Sequence, residues 1–163
     1  MNILLNNKNI LILDDFRFKC CVGKFGLVKH KYEGDRKTPK GVYKLGNLFF
    51  RKDKYQKINT KLKKIQIKKS MGWCNDINNI KYNKLIKVSK KIRHEKMHRN
   101  DGKYNLVIPI EYNTYKPVKN KGSAIFLHLT KNYKPTAGCI GLKEIDFLIL
   151  LKLINKKTKI KII

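Results

Sequence analysis

His128 and Cys139 stand at opposite ends of a short polar loop in "GSAIFLHLTKNYKPTAGCIGL", residues 122–142. The apolar run that ends in His128 reads as a strand delivering an imidazole to the loop mouth, and "TAGC" presents Cys139 just ahead of a helix expected to begin near Leu142. A thiol before a helix N-terminus feels the positive end of the helix dipole, and a nearby imidazole can take its proton, so both effects favour the nucleophilic thiolate. Gly138 and Gly141 let the backbone bend so that amides beside the sulfur can face a developing oxyanion. This is chemistry suited to acyl transfer. On residue types alone a second reading stays open: a small buried cysteine beside glycine and a hydrogen-bonded histidine at a strand end need no reaction to explain them.

A second constellation, "HEKMH" at residues 94–98, formally matches H-E-x-x-H, in which two histidines one helical turn apart bind zinc around an activating glutamate. Its surroundings oppose that use. Lys90, Lys91, Arg93, Lys96 and Arg99 crowd it with positive charge, and Asp101 with Gly102 would end any helix almost at once. The sequence predicts an exposed basic turn or short helix there, and no metal site.

These groups must be held by elements that a chain of 163 residues, 42 % of them hydrophobic, can build around one core. At the start, Ile3 to Leu5 and Ile10 to Leu13 flank the turn-rich spacer "NNKN", and Phe16, Phe18, Cys20 and Val22 alternate with Arg17, Lys19 and Cys21 at the strand period. Cys20 and Cys21 read as structural neighbours on that strand, and the four cysteines suggest no disulfide framework. From Arg51 to Lys69 the pattern fits an exposed helix, a strand pair or a long loop. "SMGWCNDINNIKYN" reads as loop, while "YNLVIPI" and "SAIFLHL" read as buried strands. "LKEIDFLILLKLINKK" is a helix with acidic residues first and lysines last, apolar on every face over Leu148 to Leu151 and so held inside the fold. "TKIKII" closes the chain as a strand.

Composition sets limits on partners. With 39 Lys+Arg against 11 Asp+Glu the formal charge is +28, enough to attract any polyanion, yet no nucleic-acid module is present and no specific nucleic-acid partner is expected. No run approaches the roughly twenty apolar residues of a membrane helix, and the N-terminus lacks the pattern of a signal peptide. Nothing in the sequence assigns an oligomeric state.

"IFLHLTKNYKPTAGCIGL" resembles the catalytic signature of the L,D-transpeptidase (YkuD-like) family, a histidine on a strand, a variable loop, then a [Ser/Thr]-x-Gly-Cys box. "EGDRKTPKGVYKL", Glu33 to Leu45, is similar to that family's Gly-x-x-x-Thr-Pro-x-Gly segment. "MGWCNDINNIKYN", with "GSAIFLH" later, is similar to a compact bacterial subgroup. The blocks follow the family's order from about Val22 to Leu150.

The resemblance implies a mostly β single domain over residues 1–163, a YkuD-like mixed β-sandwich or barrel with one buried helix after the cysteine. It implies a cysteine acyltransferase that acts on peptidoglycan stem peptides in cell wall biogenesis and cell shape, with Cys139 as nucleophile and His128 as base and acid. The backbone carbonyl of Leu129 would orient the ring, amides of Gly138 and Cys139 would form the oxyanion hole, and Thr136 fills the hydroxyl position of the box. No cofactor is implied. The cell envelope or periplasm is the expected compartment. Thr38, Pro39 and Gly41 are expected to shape the fold. Two positions depart from the family pattern: Ala137 stands where many members have His, and Gly141 where many have Arg. Arg99 is a candidate for the missing cation, and Trp73 for either an apolar wall of the groove or a core residue. The same site with water as acceptor would be an L,D-carboxypeptidase or amide hydrolase, and the rival of another class is a non-catalytic basic module that binds wall polymer or nucleic acid.

Overall fold

Short apolar runs bounded by turn residues open the chain and commit it to strands. In the computed structural model, which describes residues 2–6 and 9–163, β1 (Asn2–Leu5), β2 (Ile10–Leu13) and β3 (Phe16–Cys21) form an antiparallel meander. Ile3, Leu5, Leu11, Leu13, Phe18 and Cys20 all turn inward, as a two-residue period requires. The turn expected at "NNKN" includes Asn7 and Lys8, which lie outside the described residues.

β4 (Leu27–Val28) pairs in parallel with β5 (Thr38–Pro39), which lies inside the Glu33 to Leu45 block together with β6 (Gly41–Lys44), and β7 (Leu48–Phe50) follows. Of the three possibilities for Arg51 to Lys69, the chain takes a loop that carries one short strand, β8 (Lys64–Gln66), parallel to β7. Ile58, Leu62 and Ile67 anchor this segment in the interior.

Two expectations are corrected next. "SMGWC" is not loop: β9 (Met71–Cys74) is the central strand of a three-stranded sheet, between β10 (Leu85–Lys87) and β11 (His94–Lys96). The Asn, Asp and Gly residues that signalled loop belong mostly to the connection after Cys74, while packing of Trp73 and Cys74 overrides the local signal. "HEKMH" is neither a turn nor a short helix, because His94, Glu95 and Lys96 form β11 itself and Met97 is fully buried. The histidines therefore lack the helical spacing a zinc pair uses, and His94 Nδ1 lies 2.7 Å from the Ile92 carbonyl.

β12 (Leu106–Pro109), β13 (Phe126–Leu129), β14 (Ile140–Leu142), α1 (Glu144–Leu153) and β15 (Lys159–Ile162) complete the order. A ten-stranded mixed sheet runs β6-β15-β1-β2-β3-β14-β13-β12-β7-β8. Its central strands are buried on both faces. One face presents Leu106, Ile108, Ile125, Leu127, Leu129, Ile140 and Leu142 to a core that includes Phe147, Leu150 and Leu151 of α1. The other presents Val107, Ala124, Phe126 and Cys139 to a second cluster built with Trp73, Met97 and Tyr104. Strand alternation thus places Phe126 and His128 on the face away from the helix. The fold is the β-rich one expected, with one short helix after the cysteine, but that helix is not held wholly inside: it buries Phe147, Leu150 and Leu151 while Ile145 and Lys152 face solvent. No helix among the described residues is long and apolar enough to cross a membrane.

Candidate active site

The pairing of two strands brings the histidine and the cysteine together. β13 and β14 run parallel with Leu127 opposite Ile140 and His128 opposite Gly141, so the register continues to Phe126 beside Cys139. His128 and Cys139 are therefore diagonal neighbours on one face of the sheet, and both line one cavity of about 290 Å³. Gly141 sits directly beside the imidazole. A side chain there would collide, since a β-carbon would lie 2.7 Å from Cys21 Sγ and 3.2 Å from Thr130 Cβ. The thiol of Cys21, on the adjoining strand β3, fills that space.

The imidazole is fixed in orientation and tautomer. His128 Nδ1 lies 2.8 Å from the Leu129 carbonyl, and a carbonyl can only accept, so Nδ1 carries the proton and Nε2 keeps its lone pair. Tyr104 packs against the ring at 5.5 Å between centroids. Burial lowers His128 to about 4, Lys103 and Arg99 add to the effect, and the Leu129 carbonyl works against it. The resting imidazole is neutral.

The thiol is held equally firmly. Cys139 Sγ donates to the Ala124 carbonyl at 3.2 Å and accepts from Phe126 N–H at 3.4 Å. Burial pushes the thiol up to about 12 and the Glu95 carboxylate adds to it, while the Phe126 N–H and Lys31 pull back. The expectation of a thiolate favoured by a helix dipole is corrected here. α1 begins at Glu144, with strand β14 between it and Cys139, so the dipole acts elsewhere.

The box around Cys139 is braced by two threonines. Thr136 Oγ1 donates to the Cys139 carbonyl at 2.6 Å and accepts from Gly138 N–H at 3.0 Å. The Gly138 amide, expected to point at an oxyanion, is thus already engaged by Thr136. Thr38 Oγ1 donates to the Gly138 carbonyl at 2.8 Å and accepts from Gly23 N–H at 2.9 Å, which ties the Thr-Pro block directly to the cysteine loop. Gly138 itself has φ +141, a left-handed backbone that favours glycine.

Of the remaining expected residues, Arg99 reaches the cavity with its charge already met. Its guanidinium bonds Asp101 at 2.5 Å and Glu95 at 3.3 Å and lies over the Tyr104 ring. Trp73 is a core residue behind the cleft. It stacks edge-on against Phe126 and donates from Nε1 to Asn83 Oδ1 at 2.8 Å. Asn83 also accepts from Ala124 N–H and donates to the Tyr112 and Asn113 carbonyls, so it sets the segment whose carbonyl receives the thiol.

Sequence reasoning missed Lys31, Asn83, Glu95, Tyr104 and Ala124. In the sequence Asn83 and Glu95 belong to a loop-like stretch and to the "HEKMH" segment, and the pairing of β9 with β10 and β11 is what brings them to the cleft.

A β-rich fold with a thiol and an imidazole opening into one cleft defines the class. The chain belongs to the L,D-transpeptidase catalytic domain family, YkuD, whose profile matches residues 3–162. Among solved structures it is similar to the helical cell shape determining protein Pgp2 from Campylobacter jejuni. The K307A mutant gives a TM-score of 0.53 at 19 % identity, covering 99 % of this chain and 46 % of that one. The unsubstituted Pgp2 structure gives 0.50 at 18 %, with the same coverage. The chain thus spans less than half the length of these neighbours, and the likeness is one of fold. No curated protein matches the chain.

Proposed function

We propose that residues 1–163 form one catalytic domain that performs cysteine acyl transfer on peptidoglycan stem peptides. Membership of the family supports peptidoglycan-directed catalysis, and the observation that carries the finer reading is the shared cleft of His128 and Cys139, with Nδ1 held by the Leu129 carbonyl. A neutral thiol beside a neutral imidazole reacts by coupled transfer: as Sγ attacks the carbonyl on the L side of the diamino acid centre, the thiol proton passes to Nε2. The tetrahedral oxyanion takes the Cys139 amide, since Thr136 holds that of Gly138. Collapse breaks the peptide C–N bond, and Nε2 gives its proton to the departing D-alanine amine. The thioester left on Cys139 is resolved by an acceptor amine, which loses a proton to Nε2 as the sulfur departs and is reprotonated.

Water as acceptor gives an L,D-carboxypeptidase instead. Incubation with stem tetrapeptide, read by mass spectrometry, tests the proposal: an acyl adduct on Cys139 with release of D-alanine supports it, and cross-linked dimer against tripeptide separates the two acceptors. No adduct and no product under reducing conditions sinks it in favour of a non-catalytic basic module.

A further inference from the structure

A lysine is buried beside the cysteine, in the connection between β4 and β5. The side chain of Lys31 is 3 % exposed, and its ammonium bonds Asp35 Oδ1 at 2.5 Å, with the Asp35 side chain wholly buried. Two glycines make room for it. A β-carbon on Gly122 would lie 2.7 Å from Lys31 Cε, and one on Gly138, the residue before Cys139, would lie 3.4 Å from Lys31 Nζ. Both glycines have left-handed φ, +94 and +141. The lysine stem therefore passes Gly122 and ends against the backbone of the cysteine loop, and the residue lines the same cavity as Cys139.

Fixing a loop does not require this arrangement. Burying an ammonium carries a large desolvation cost before any partner is found, and apolar pairs of similar volume fix a chain as well or better. Asp35 already accepts from Tyr32 N–H at 3.1 Å and Lys37 N–H at 2.9 Å, so the carboxylate is anchored independently of the lysine. An ammonium has three donors. Asp35 takes one, and no second hydrogen-bond acceptor meets the ammonium among the described residues.

The other charged groups of the cavity do not replace it. Arg99 is bonded to Glu95 and Asp101, Glu95 is itself bonded by Tyr104, Glu33 accepts from Tyr82 and Ser123, and Lys103 and Lys134 are exposed. His128 is buried with its Nδ1 on a carbonyl.

We propose that Lys31, positioned by Asp35, is the electrostatic partner of Cys139: its ammonium stabilises the negative charge that gathers on the sulfur and on the substrate oxyanion during acylation. The inference rests on Cys139 as nucleophile but not on the identity of the peptide. Negative charge on sulfur in a water-poor cleft is worth far more to a fixed cation than the same charge in solvent.

The test is the rate of alkylation of Cys139, followed on its own peptide by mass spectrometry with iodoacetamide from pH 7 to 10. Lys31→Met is expected to slow it about tenfold at each pH, the equivalent of about 1.4 kcal/mol, while Lys31→Arg stays within about threefold of the parent. The double variant Lys31→Met/Asp35→Asn leaves no buried carboxylate unpaired and serves if the single variant fails to fold. It is expected to match Lys31→Met. The unsubstituted chain gives a readout with no variant at all: anionic iodoacetate gains on neutral iodoacetamide relative to a free thiol, and keeps that advantage in 1 M salt, where the Debye length is about 3 Å and the diffuse surface charge is screened. Folded neutral variants that alkylate at the parent rate overturn the proposal, as does an iodoacetate advantage that vanishes with salt. Because no peptide enters these measurements, absence of turnover on tetrapeptide removes the substrate reading and leaves the Lys31 result standing.

Discussion

The thiol of Cys139 donates to the main-chain carbonyl of Ala124, 3.2 Å away, and no hydrogen bond joins it to His128 among the described residues. The two groups share a cleft while each is held by a backbone carbonyl, His128 by that of Leu129. The resting site is therefore a neutral pair rather than a thiolate and an imidazolium. On the proposed acyl-transfer reading, substrate entering between them draws the thiol from Ala124 toward Nε2.

That state sets the alkylation profile. With the thiol pushed up to about 12, chiefly by burial, the thiolate fraction rises about tenfold per pH unit across neutrality. Iodoacetamide labelling of Cys139 is expected to climb with that slope from pH 7 to 10. A plateau beginning near pH 5 would instead mean a preformed ion pair.

Stability carries the signature of His128. Its folded value of about 4 lies below the ordinary 6.5, so between those two pH values the unfolded chain binds more protons. Stability therefore falls as pH drops from about 6.5 to about 4, by up to about 1.4 kcal/mol per unit from this group. Urea titrations at pH 7 and pH 4.5 on the parent and on His128→Gln are expected to show a smaller difference in the variant. The same variant is expected to lose about 10²- to 10⁴-fold in turnover.

Thr136→Val removes the hydroxyl that links Gly138 N–H to the Cys139 carbonyl. A cost of about 1–3 kcal/mol is expected from the unpaired backbone groups, together with lower kcat, and Thr136→Ser is expected to restore both. Thermal melts and peptide kinetics on the two variants check this.

Gly141 is closed to larger residues by Cys21. Gly141→Ala is expected to destabilise by about 1–3 kcal/mol through overpacking, and Cys21→Ala/Gly141→Ala to recover most of that, as a double-mutant cycle in urea would show. The arginine that the family resemblance leads one to expect at this position has no room here for the same reason.

How far the sequence could lead is visible at the same residues. The meander, β12, β13 and the helix followed from strand alternation, from short apolar runs and from the acidic start and lysine-rich end of "LKEIDFLILLKLINKK", because these are local signals, whereas β14 was hidden behind a helix start placed at Leu142. The strand at Trp73 was hidden, since Asn and Asp after Cys74 dominated the window while the partners that make it a strand lie at Leu85–Lys87 and His94–Lys96. His128 and Cys139 stood out because a short connection joins them. Lys31 was one cation among 39 Lys+Arg, and its burial depends on glycines at 122 and 138 that no local pattern links to it. The engagement of the Gly138 amide was equally hidden, as it needs the folded turn.

Thr38 clamps the carbonyl of Gly138 while Gly23 N–H holds Thr38, so the loop that bears the sulfur takes shape only when segments from opposite ends of the polypeptide have met. Such distant closures form late as a chain acquires its topology. A ribosome-bound or half-assembled copy would carry its cysteine without the surrounding clamp, and competence to react would arrive together with the finished architecture.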